Sequence, residues 1–132
     1  MQDCVILGWT PGQGGRSKSF GALLVGAYED GKLLWIGQVG SGFTQKKLDQ
    51  ILEQLEPLVV EEPPIDDPEL AAVKGATFVE PAVVCEVEYI QITKANKFRA
   101  PSFKGLRPDK APEDCVLERP ASSAKSTNRR GR

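Results

Sequence analysis

FGALLVGAY (Phe20–Tyr28), EDG (Glu29–Gly31) and KLLWIGQV (Lys32–Val39) follow one another without a break. Two β-rich runs flank an Asp-Gly pair, which accepts the positive φ of a tight turn, so the stretch reads as a β-hairpin. Upstream, CVILGW (Cys4–Trp9) is a short apolar run closed by Thr10-Pro11-Gly12, a buried strand followed by a loop. Downstream, Thr44 is placed to cap a helix in which Leu48, Ile51, Leu52 and Leu55 form one apolar stripe, and Pro57 ends it. Residues 59–75 (VVEEPPIDDPELAAVKG) are acidic and proline-rich, which predicts an exposed connection that covers little, with at most one helical turn at Pro68–Val73. Val83, Cys85, Val87 and Tyr89 alternate with Val84, Glu86, Glu88 and Ile90 as in a strand, and Lys94–Lys97 turns the chain into a partner strand from Phe98.

The order strand, strand, strand, helix, strand, strand is that of a mainly β, five-stranded Greek-key OB-fold barrel with one α-helix between strands 3 and 4. Glycines at 8, 21, 26 and 37 suit strands that curl tightly, where a side chain would crowd the bend. The expected organisation is an OB-fold domain over residues 1–118 and a disordered basic tail over 119–132 (RPASSAKSTNRRGR), which lacks apolar periodicity.

Composition removes several chemistries. At 132 residues and 14.4 kDa the chain has the size of one domain. It contains no histidine, so Ser-His-Asp triads, His-ligated metals and imidazole bases are excluded, and no metal site is expected. Cys4, Cys85 and Cys115 lie far apart without a CxxC pair and read as small buried hydrophobes. No apolar stretch approaches the roughly 18–20 residues that span a bilayer, and the N-terminus lacks a basic signal-like start. A soluble intracellular protein with no membrane partner is the expectation.

Charge is unevenly spread. Acidic residues dominate from Glu53 to Glu88, and from Lys94 onward the balance is basic, a pattern that suits a polyanionic partner, although on charge alone a solvated surface with a basic tail ranks first. TPGQGGRSKS (Thr10–Ser19) comes close to a phosphate loop, but Ser17 replaces the second glycine and a strand follows where a helix is needed. What survives is a glycine-rich loop that reads equally as an ordinary surface loop or as one whose Arg16 and Lys18 contact a nucleic-acid backbone. Glu86 and Glu88 share a strand face, yet without a metal cluster or a second convergent element they read as solvent-facing or paired with neighbouring bases and not as an acid/base pair. Among the aromatics, only Trp35 and Phe43 lie near a loop where they can stack on a base. The most distinctive stretch is RAPSFKGLRPDK (Arg99–Lys110), in which Arg99, Lys104, Arg107 and Lys110 gather around two prolines and a glycine with Asp109 among them. Planar arginine forks beside mobile lysine charges suit the oxygens of a polyphosphate.

This segment resembles motif VI (RxPSFxGLRxDK) of ATP-dependent DNA ligases, in the form found in the bacterial and archaeal ligase D type of non-homologous end joining. VILGWTPG (Val5–Gly12), GQVGSGFT (Gly37–Thr44) and FVEPAVVCEVEY (Phe78–Tyr89) resemble further blocks of that family's OB domain in the same order, so the resemblance covers residues 3 to about 118.

The resemblance implies an OB-fold domain that assists enzyme adenylation. In this family a separate nucleotidyltransferase domain carries the lysine that attacks ATP, in a KxDG motif. The OB domain closes over it, orients the pyrophosphate, then swings away to grip nicked double-stranded DNA for sealing in DNA repair and recombination. Carried over, Arg107 and Lys110 contact the β and γ phosphates, Asp109 positions them and Arg99 supports the same surface, while Arg16, Lys18 and Lys104 are the DNA-binding candidates. ATP and Mg2+ are then bound mainly by the adenylation domain, a partner in cis or in trans, and the resemblance implies a cytoplasmic, nucleoid-associated monomer. The nearest match to KxDG here is Tyr28-Glu29-Asp30-Gly31, with tyrosine in place of the nucleophile, so the chain alone is expected to be inactive. Two alternatives stand beside this reading: a stand-alone OB module binding single-stranded nucleic acid through strand-face aromatics, and the OB domain of an RNA ligase or capping enzyme.

Overall fold

The computed structural model describes residues 2–11, 20–73, 75–93, 97–99 and 101–117. Strands β1 (Gln2–Pro11), β2 (Phe20–Glu29) and β3 (Lys32–Val39) form an antiparallel meander. Glu29 pairs with Lys32 across a two-residue turn in which Asp30 (φ 54°) and Gly31 (φ 79°) both take the positive φ that matches the turn to strand twist. Helix α1 (Gln45–Leu55) follows, with Thr44 Oγ1 accepting from Lys47 N–H at 3.2 Å as its N-cap. Leu48, Ile51 and Leu55 turn inward, and the helix tightens into a 3-10 turn at Glu56–Leu58, which contains Pro57.

The second half adds β4 (Val59–Val60), α2 (Pro68–Ala71), β5 (Thr77–Val79), β6 (Val84–Glu88), β7 (Gln91–Ile92), β8 (Phe98–Arg99) and β9 (Ser102–Leu106). The sheet is mainly β3-β2-β1-β6-β9, with β5 and β4 continuing from the far end of β1. This is the OB strand order. The ladder is open between β3 and β9, where Phe103 N–H donates to Ser41 O at 2.9 Å just beyond β3. Gly42 sits at this seam with φ 90°, and a Cβ there would lie 2.7 Å from Phe103 N, so only glycine lets the two segments approach. β1 carries the assembly, because it pairs with β2 along its length, with β6 at Gln2–Val5 and with β5 at Gly8–Trp9.

Burial explains why the first strands read as continuous apolar runs: both faces are covered. Ile6, Leu23, Val25 and Ala27 face a core sealed by α1, whereas Leu7 and Leu24 point to the other face, onto Leu70 and Phe78. Here the structure corrects the sequence reading of residues 59–75. Val59–Val60 forms a strand with Val79 and Phe78, and Leu70, presented by α2 under an Asp67 N-cap, is fully buried against the outer face of β1 and β2. A mostly polar segment thus covers the outer face of β1 and β2 through Leu70, with Val60, Ile65 and Val73 packed around it. The expected single strand from Phe98 is split into β8, which pairs with β7, and β9, which pairs with β6. Pro101, which has no N–H to donate to a ladder, lies between them. Of the four glycines read as bends, Gly8, Gly21 and Gly26 have backbone oxygens within the space of a Cβ, but Gly37 meets only the Phe98 side chain at an ordinary 3.4 Å. The 119–132 segment lies outside the described residues.

Candidate functional site

β9 ends at Leu106, and the chain turns through Arg107-Pro108-Asp109-Lys110. Arg107 N–H donates to Val84 O at 2.7 Å, tying the turn to β6, and Lys110 N–H donates to Arg107 O at 3.2 Å, closing it. Pro108 fixes φ and supplies no N–H, so the strand cannot continue. Two positions apart in this turn, Arg107 and Asp109 meet fork to fork: Nε donates to Oδ1 at 3.2 Å and Nη2 to Oδ2 at 3.1 Å. These hydrogen bonds raise the Arg107 guanidinium further above its ordinary value and hold the Asp109 carboxyl below the usual carboxylate range.

The sheet delivers two more carboxylates. Asp3 on β1 lies opposite Glu86 on β6, which lies opposite Gly105 on β9. Arg107 Nη1 reaches Asp3 Oδ1 at 3.2 Å and Glu86 Oε2 at 3.6 Å, while Lys110 Nζ is 3.8 Å from Asp3 Oδ2. The Arg107 and Lys110 side chains remain 31% and 38% exposed, so an incoming anion can reach both. Beside them opens a cleft of about 280 Å³ with Arg107, Pro108 and Lys110 on one wall, Val83, Val84 and Leu106 as its apolar floor and Gln54 of α1 at its edge.

Of the sequence-predicted motif residues, the structure therefore brings Arg107, Asp109 and Lys110 together. Arg99 is set apart, exposed in β8 on the two-stranded β7–β8 sheet, where its carbonyl accepts from Ile90 N–H at 3.0 Å. Lys104 projects from β9 and pairs with Glu88 at 3.1 Å. Glu86 and Glu88 are each paired with a base, as their strand-face spacing suggested. Arg16 and Lys18 lie outside the described residues. Trp35 is half-buried, with its indole N–H donating to Gly37 O at 2.9 Å and Lys97 Nζ 4.7 Å from its ring centroid. Phe43 stacks on Phe103 at 5.0 Å, so both candidate stacking rings already have neighbours on this chain. Asp3 was missed by sequence reasoning; the only signal was an acidic residue opening the first strand, and its partners lie more than a hundred positions away.

The three thiols are free and buried, and burial pushes them above the ordinary thiol range, Cys115 to about 11. Neutral thiols are poor nucleophiles and poor metal ligands. Among the described residues no group of three or more His, Cys, Asp or Glu is arranged to hold a metal ion, and no helix is long and apolar enough to cross a membrane.

Comparison with known proteins agrees with this geometry. Residues 16–110 match the family model for the ATP dependent DNA ligase C terminal region. The chain is 43% identical over 118 residues to the multifunctional non-homologous end joining protein LigD of Mycolicibacterium smegmatis, covering 89% of this chain and 16% of that protein. It is 38% identical over 127 residues to a DNA ligase of Thermococcus fumicolans, covering 89% of this chain and 21% of that enzyme. The crystal structure of the ligase domain from M. tuberculosis LigD superimposes with a TM-score of 0.79 at 41% identity, over 89% of this chain and 38% of that one. A mycobacterial DNA ligase D complexed with ATP and MES gives 0.76 at 40% identity, over 89% and 37%. The chain thus spans a small part of each relative, and the family model's match on this chain includes the Arg107–Lys110 turn. Strand order, motif and likeness agree that this chain belongs to the C-terminal region family of the ATP-dependent DNA ligases.

Proposed function

We propose that the chain acts as the mobile OB-fold part of an ATP-dependent DNA ligase of the end-joining type, assisting enzyme adenylation through Arg107, Asp109 and Lys110 and then binding nicked duplex DNA. The observation that carries this reading is the turn itself. Arg107 is held as a flat fork by Asp109, and Lys110, the residue after Asp109 in a proline-stiffened turn, adds a mobile charge on the same surface. A rigid fork and a flexible point charge can follow phosphate oxygens while negative charge builds on a leaving pyrophosphate, without reorganising the backbone. ATP and Mg2+ are held mainly by an adenylation domain, and this chain's residues approach the triphosphate when the two close together. Arg99 stands apart on β8, Lys104 pairs with Glu88 further along β6 and β9, and both are assigned to nucleic-acid contacts or support. By itself the chain is inactive, because it presents no lysine in a KxDG setting.

The test combines the chain with an adenylation domain of the family that lacks its own OB domain, with labelled ATP and magnesium, and follows lysyl-AMP formation. Stimulation is expected, and Lys110→Ala should abolish it while sealing of pre-adenylated nicks falls far less. Equal loss in both assays would remove the pyrophosphate role. Absence of stimulation together with tight binding to single-stranded DNA would favour the stand-alone binding module.

A further inference from the structure

Arg107 and Lys110 face three carboxylates, Asp3, Glu86 and Asp109. Asp109 grips Arg107 through two hydrogen bonds within one turn. Asp3 behaves differently. It comes from the opposite end of the chain and divides its two oxygens between the two cations, Oδ1 to Arg107 at 3.2 Å and Oδ2 to Lys110 at 3.8 Å. One anion bridging both cations with two oxygens is the arrangement a phosphate group would adopt. Glu86 stands opposite Asp3 on the neighbouring strand, where like charges repel, and Arg107 Nη1 lies within 3.6 Å of both.

Carboxylates outnumber cations in this cluster, so an approaching polyphosphate meets net negative charge until an internal carboxylate yields. The bidentate Asp109 is the hardest to displace. Asp3 and Glu86 each hold a given cation by one contact, at 3.2 Å and 3.8 Å for Asp3 and 3.6 Å for Glu86, against the two that Asp109 makes to one guanidinium, and are the ones that can be exchanged.

We propose that Asp3, supported by Glu86, is an internal stand-in for phosphate: it keeps Arg107 and Lys110 at the spacing of a bridging anion, is replaced by phosphate oxygens when a polyphosphate arrives, and so sets how tightly the domain holds one. Asp3 is in this sense a positioning residue with a built-in competitive effect. The inference rests on the reading above that these two cations receive a polyphosphate.

Inorganic tripolyphosphate is titrated into the full chain and followed by NMR shifts of the Arg107 side chain and neighbouring amides, for wild type, Asp3→Asn, Glu86→Gln and Lys110→Ala. Lys110→Ala should weaken binding. Asp3→Asn should tighten it by about fivefold, a gain that fades at high salt, and Glu86→Gln by less. Damage to the fold lowers affinity, so a gain separates the proposed role from a structural one. Unchanged or weaker binding in Asp3→Asn, with Lys110→Ala still impaired, overturns the stand-in role and leaves the ligase reading intact. Identical binding in wild type and Lys110→Ala removes the polyphosphate site, and the inference with it. If Asp3→Asn does not fold, Glu86→Gln must show the gain, and its failure to do so overturns the proposal.

Discussion

Arg107 shows how a single side chain can be both held and available. Its Nε and Nη2 are engaged by Asp109, its Nη1 by Asp3 and Glu86, and a third of its surface still faces solvent. The pairing has a pH signature whose sign is fixed. Asp109 has a carboxyl lowered in the folded chain, chiefly by its hydrogen bonds from Arg107, so the pair contributes above the ordinary carboxylate range and is lost as pH falls through the lowered value. In an NMR titration Asp109 is expected to protonate below the usual range, and Arg107→Ala should return it upward; an unmoved Asp109 midpoint in that variant would contradict the assignment. Lysine at 107 cannot reproduce the fork, since a point charge does not span both carboxylate oxygens. The sequence exposed this pair because Arg and Asp stand two apart around a proline. It concealed Asp3, whose role depends on which strands lie side by side.

At the scale of elements, the helix and hairpin follow from local rules. Thr44, the Leu48–Ile51–Leu55 stripe and Asp30-Gly31 are short-range signals, and each specifies its own geometry. The α2 segment follows a different logic. Four residues under an Asp67 cap amount to one turn, too short to hold itself as a helix, yet Leu70 closes the outer face of β1 and β2. Leu70→Ala should therefore destabilise the domain by about 2–4 kcal/mol in urea unfolding, the range for emptying a buried leucine site. A loss of only a few tenths would mean that residues 59–75 are the dispensable cover their composition suggests. Hydropathy could not show this, because one buried leucine among acids and prolines carries no periodicity.

For the whole molecule, the same small barrel must hold a motif turn at one edge and leave other surfaces free. The cation cluster sits where β1, β6 and β9 run side by side, with the Lys104–Glu88 pair further along β6 and β9, while Arg99 stands apart on β8. The basic residues beyond position 118 add a further prediction from charge alone. Removing residues 119–132 should lower affinity for nicked duplex DNA at low salt and matter little at high salt, and fluorescence anisotropy across a salt series reads this directly. Equal affinity of full and shortened chains at low salt would exclude a role for that segment.

The sequence by itself determined the strand–helix order, the hairpin, the helix cap, the family resemblance and the gathering of Arg107, Asp109 and Lys110 in one turn, because these rest on short stretches of neighbouring residues. The tertiary structure alone decided that Asp3 and Glu86 complete the charge cluster, that Arg99 lies apart from it, and that Leu70 and Val59–Val60 cover the sheet. Those facts depend on strand register and on packing between segments remote in the chain. Side-chain periodicity tells which residues face inward, but not which remote residue they will meet there.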